Sequence, residues 1–128
     1  VTHAASWRIT SGFTGNSDPV TANWEEVDTG AYSTLGSGVT ESSGIFSFPV
    51  TGYWLILFHI KTQHNGNTRY TQMSLETTTN NSSYSEIAFA SCSQTYTGNS
   101  ASASASGNDV SHTNANWTYF TALRLADT

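Results

Sequence analysis

Side chains able to carry acid–base or metal chemistry are few in this chain and widely spread. The four histidines stand at His3, His59, His64 and His112. His59 and His64 flank an Asn65-Gly66 pair, and their rings approach each other only if the strand between them bends. Surface or interface histidines are the simpler reading than a zinc site. The carboxylates gather at Glu25, Glu26 and Asp28 beside Trp24, with Glu41 in the next segment. Calcium needs several oxygens converging on one loop, and no run here resembles an EF-hand loop. Two carboxylates could also serve glycoside hydrolysis, but only at a separation that a sequence does not reveal. No nucleophile elbow, Walker loop, Cys-x-x-Cys or helical zinc-binding His pair is present, so the chain reads as a non-enzyme.

The aromatic residues are more informative. Four Trp, six Tyr and six Phe are many for this length. Tyr32, Tyr84 and Tyr96 lie beside polar loops, where a ring among Asn, Thr and Ser either stacks on a sugar or pins its loop down. Trp54 and Phe58 read as core or subunit-interface residues. Sequons at Asn80, Asn81 and Asn116 matter only if a eukaryotic host secretes the chain. Cys92, the single cysteine, excludes an intrachain disulfide and reads as a small buried hydrophobe.

These residues need a scaffold, and the sequence points to strands. A chain of 128 residues is long enough for one domain with its own core, here taken as 1–128. Four basic residues against nine acidic ones leave no basic patch for nucleic acid. The apolar run at 53–60 is far too short to cross a bilayer as a helix, so membrane insertion is not expected. The first residue is Val1, which fits a processed product or a piece of a longer protein.

Alternation, β-branched residues and turn residues recur along the chain, and a helical period of useful length does not. Strands are expected at 5–10, 21–27, around Tyr32 and Leu35, at 45–48, 53–61, 69–77 and 84–91, and at 116–125. Asn65-Gly66 suits a type I′ turn and predicts that 55–61 pairs with 69–77 as a hairpin. In the strand at 84–91, Ile87 and Phe89 are expected to point inward. The alternating SASASAS at 100–106 is either a flexible loop or a strand packed where only small side chains fit.

The stretch 44–62, GIFSFPVTGYWLILFHIKT, is the only long apolar run. Residues 53–60 are apolar or aromatic on both parities, so both faces of that strand should be covered. One face can join a sandwich core, and the natural cover for the other is a second copy of the chain.

Gly44-Ile45-Phe46-Ser47-Phe48-Pro49, followed by Thr51-Gly52-Tyr53-Trp54, resembles the C1q/TNF-like jelly-roll signature G-x-F-x-x-P-x-x-G-x-Y, with one residue fewer between Pro49 and Gly52. The run 116–125, NWTYFTALRL, looks like the closing strand of that family, and the terminal RLADT is similar to endings of bacteriophage versions. The resemblance implies an all-β jelly-roll β-sandwich of about 8–10 antiparallel strands, assembled as a homotrimer. In a trimer one histidine near the axis becomes three, which keeps an axial metal open. Some relatives bind calcium at the top of the trimer, but no matching run can be carried over here.

The expected function is therefore that of a virion structural and adhesive domain, the head of a tail fibre or capsid spike that binds a host surface or carbohydrate. Its partners would be copies of itself, other virion proteins and the host ligand. Tyr53, Leu55, Leu57 and Phe120 are expected at the trimer interface or in the core, and Tyr32, Tyr84 and Tyr96 are candidate ligand contacts. A capsid decoration protein without a host ligand and a secreted C1q- or TNF-like signalling ligand are the alternatives; the latter would place the chain outside cells rather than on a phage particle.

Overall fold

The computed structural model describes residues 1–13, 15–30, 32–61, 70–93 and 119–128, with the side chains of 70, 71, 92 and 93 left aside. Eight strands lie among the described residues: β1 (Ala4–Ile9), β2 (Trp24–Glu26), β3 (Thr40–Ser42), β4 (Ile45–Ser47), β5 (Tyr53–His59), β6 (Tyr70–Thr77), β7 (Ser85–Ser93) and β8 (Tyr119–Ala126). The fold is all-β, with antiparallel ladders and no helix among the described residues. The chain divides into two compact units, Val1–Lys61 with Asp109–Thr128, and Thr62–Asn108.

In the first unit four strands form a sheet in the order β2-β1-β8-β5, and β3-β4 is a separate hairpin. The hairpin packs on the inner face of the sheet through one ring. Phe46 stacks on Phe120 at 4.5 Å and meets Trp24 and Trp7 edge-on at 5.1 and 6.0 Å. Alternation explains the choice, because Phe46 points inward while Ile45 and Phe48, its neighbours on the other parity and past the strand end, are 41% and 40% exposed. Ala5, Ile9, Val27, Val39, Phe120 and Ala122 complete the buried apolar set. Ala5 lies directly opposite Ala122, and both are fully buried. The indoles are satisfied as they are buried: Trp7 Nε1 donates to the Val39 carbonyl at 3.0 Å and Trp24 Nε1 to that of Val20 at 2.9 Å.

The β3-β4 turn is Ser43-Gly44, with φ of 53° and 81°. Positive φ at both central residues is what a two-residue type I′ hairpin requires. Glu41 fastens the tip by accepting the Gly44 amide at 2.6 Å.

The second unit contains the β6-β7 hairpin, with Met73 opposite Ala90 and Leu75 opposite Ala88. Its loop is held by local bonds. Asn80 Oδ1 accepts the amides of Ser82 and Ser83, both at 2.9 Å, and Thr78 Oγ1 accepts that of Asn81 at 3.0 Å.

One expectation needs correction, and another falls partly outside the described residues. The ladders present are β5 with β8 over all of Tyr53–His59, and β6 with β7. The expected hairpin of 55–61 with 69–77 turns at Asn65-Gly66, which lies outside the described residues. Pairing with β8 sets Ile56 opposite Ala122 and Phe58 opposite Phe120 and so helps build the core of the first unit. Ile87 and Phe89, expected inward, are 57% and 53% exposed, because the described ribbon buries Met73 and Leu75 on its other face more than these two. The SASASAS run and residues 116–118 lie outside the described residues.

Candidate interaction surface

Along β5 the side chains divide cleanly. Trp54, Ile56 and Phe58 are half-buried on the inner face, while Tyr53, Leu55 and Leu57 on the outer face are 65%, 40% and 49% exposed. Burial on both faces is thus not achieved within the described residues of one chain. Register extends the outer row across the sheet. Leu55 faces Leu123, Leu57 faces Thr121, and His59 faces Tyr119 with the two rings stacked at 5.4 Å. One strand further, Ser6 lies opposite Thr121 and shares a 2.8 Å hydroxyl contact with it. The outer face therefore grades from apolar at β5 to polar at β1. Phe120, on the opposite parity, is a core residue at 3% exposed.

The polar side is built around Arg8, only 1% exposed. Its Nε donates to Glu25 at 3.1 Å, Nη2 to Asp28 at 2.9 Å and Nη1 to Thr29 Oγ1 at 2.8 Å. The acidic group read from the sequence is therefore largely a cage for one buried cation. No group of three or more His, Cys, Asp or Glu side chains placed to hold a metal ion occurs among the described residues. Replacing both carboxylates, by Glu25→Gln and Asp28→Asn, leaves the guanidinium buried without compensation. The expected loss is about 2 kcal/mol by denaturant unfolding, below that of a fully enclosed pair because both carboxylates reach solvent.

Tyr32 sits beside this cage, and its position disfavours the expected ligand contact through the phenol. Among the described residues its hydroxyl is buried without a hydrogen-bond partner of good geometry. Burial pushes its pKa above 10.0 and the Glu26 carboxylate adds to the rise; the nearby Ser6 hydroxyl opposes it. Ser6 Oγ, however, already donates to the Phe120 carbonyl at 3.1 Å and is shared with Thr121. Above pH 10.0 the unfolded chain loses this proton while the folded one keeps it, so Tyr32 makes stability fall as pH rises through that value. In Tyr32→Phe this part of the alkaline loss should vanish. At neutral pH the variant should be as stable as the parent or better by up to about 1 kcal/mol, since an unsatisfied polar atom is removed. A clear destabilisation at pH 7 would mean that the hydroxyl has a partner.

Tyr84 is 41% exposed just before β7, and Tyr96, His64 and His112 lie outside the described residues. Sequence reasoning missed a different aromatic group. Trp54 is flanked by Phe48 at 4.9 Å and His3 at 6.1 Å, at the end of the sheet where β1 and β5 begin and β8 ends. The signal was the short spacing between Phe48 and Trp54 across Pro49 and Gly52, where the chain turns back on itself. His3, remote in sequence, arrives only through β1-β8 pairing.

Comparisons with protein families, with curated proteins and with solved structures found no match to this chain.

Proposed function

We propose that the chain is a C1q/TNF-like jelly-roll domain that assembles as a homotrimer and acts, without catalysis, as an adhesive head on a phage tail fibre or capsid spike. The observation that carries the reading is the exposed row of Tyr53, Leu55 and Leu57 on β5, continued by Leu123 on β8. Large apolar side chains aligned on one face favour burial, each contributing about 1.5–3 kcal/mol when fully covered. A second and third copy are the economical cover. The order β2-β1-β8-β5 adds support, because the last strand returns beside the first as in Greek-key sandwiches.

Adhesion follows from symmetry and composition. Three weak sites on one rigid head gain avidity without any new contact. A surface rich in Ser, Thr and Asn, with few charges, suits hydrogen bonding to the hydroxyls of a host carbohydrate. Light scattering on the purified chain tests the assembly. A mass of about three times 13.8 kDa is expected, and a stable monomer would overturn the trimeric reading.

A further inference from the structure

We infer that the end of the four-stranded sheet formed by His3, Phe48, Trp54, Arg124 and Asp127 is a binding site for a neutral pyranose. The inference rests on the adhesive reading above and locates the ligand that reading requires.

Topology gathers the site. β8 runs antiparallel to both β1 and β5, so the start of β1, the start of β5 and the end of β8 meet at one end of the sheet. Three segments remote in sequence thereby supply two kinds of surface. The first is aromatic: the Trp54 indole with Phe48 and His3 tilted against it, Phe48 being 40% exposed. The second is a polar strip. Arg124, opposite Trp54 in register, ion-pairs with Asp127, donates from Nε and Nη2 to the Thr51 carbonyl at 3.0 and 2.8 Å, and from Nη1 to Thr2 Oγ1 at 3.1 Å. Thr2 Oγ1 in turn lies 3.1 Å from His3 Nδ1. Polar atoms thus run without a break from Asp127 to the ring that abuts Trp54.

A pyranose presents the same two surfaces, a face of C–H groups and an equator of hydroxyls. Rings with an apolar body beside a wet polar margin are suited to take both. The Asp127 side chain is 87% exposed, yet Arg124, at 11%, fixes it in place. A carboxylate held before the ligand arrives loses little entropy on binding, which is the benefit of preorganisation. Arg124 is neutralised by Asp127 and the whole chain carries a net charge of −5, so an uncharged sugar is favoured over a uronate or sialic acid.

The test is NMR titration of the intact chain with methyl α-mannopyranoside, methyl β-galactopyranoside and N-acetylglucosamine, following the indole N–H signals. The expected result is a saturable shift of the Trp54 signal with at least one sugar, while those of Trp7 and Trp24 stay in place. Phe48→Ala and Asp127→Asn, both at exposed side chains, should each weaken binding about tenfold or more and leave the Trp7 and Trp24 signals unmoved. Binding that is unchanged in both variants, or no saturable shift with any of the three sugars, overturns the site. The solution mass separates the two failures: a trimer that ignores all three sugars loses the site and keeps the assembly, whereas a monomer that binds through Trp54 keeps the site and loses the trimer.

Discussion

Leu57→Asp is expected to yield a folded, soluble monomer. Within one chain the Leu57 side chain is 49% exposed on the outer face of β5, so an aspartate there can remain hydrated. The cost to the monomer is the loss of partial apolar burial and of strand preference, about 1 kcal/mol. In the proposed trimer the same position is covered. There each chain would bring a carboxylate out of water, at an effective penalty of several kcal/mol per ion, and three like charges would approach one another around the axis. The apolar contacts of Leu57 with the partner chain would be lost as well. Trimer formation should therefore fail at concentrations where the parent is fully assembled, while thermal unfolding of the monomer keeps a cooperative transition. Light scattering with a parallel melt reads both. A soluble, stable trimer carrying the aspartate in every copy would remove Leu57 from the buried face and take the main support from the proposed function.

The reason Leu57 could be singled out is that β5 is written on both parities. Seven consecutive residues, YWLILFH, are apolar or aromatic but for the last, and a strand of that kind needs two covers whatever the fold. β1 was legible for a similar reason, because Trp7 and Ile9 alternate with Arg8. Pairing was less legible. The partner of β5 is β8, sixty or more residues away, and only register shows that Phe58 meets Phe120 and that Ser6 meets Thr121. The role of the acidic group near Trp24 was not legible because its counter-ion, Arg8, precedes it by some seventeen residues and reaches it only through the β1-β2 ladder. The aromatic site was hidden in the same way. Phe48 and Trp54 are neighbours in sequence, but His3, Arg124 and Asp127 join them by sheet topology, which no local pattern encodes. Loop composition likewise does not reveal that the Tyr32 hydroxyl is buried.

Gly44→Ala is expected to be strongly destabilising for a change of one methyl group. Its φ of +81° lies in the left-handed region, where any side chain costs about 1 kcal/mol or more. Space is denied too. A Cβ built there would overlap the Val20 carbonyl oxygen and stand 2.9 Å from the carbonyl carbon, both backbone atoms that have no rotamer to change. Overpacking of this kind adds roughly 1–3 kcal/mol. The damage would also travel, because the same Val20 carbonyl accepts the Trp24 indole N–H, and Trp24 packs edge-on against Phe46, the ring that joins the hairpin to the sheet. A total near 3 kcal/mol would lower the melting temperature by roughly 10 °C for a chain of this size. Gly30→Ala supplies the control. Gly30 has φ of +77°, and nothing lies within 4 Å of its Cβ, so its variant carries the backbone strain without the collision and should lose only about 1 kcal/mol. Equal losses at Gly30 and Gly44 would show that strain alone governs both positions. The glycine of the Gly44-Ile45-Phe46 motif would then be a turn residue, with no part in seating the hairpin on Val20.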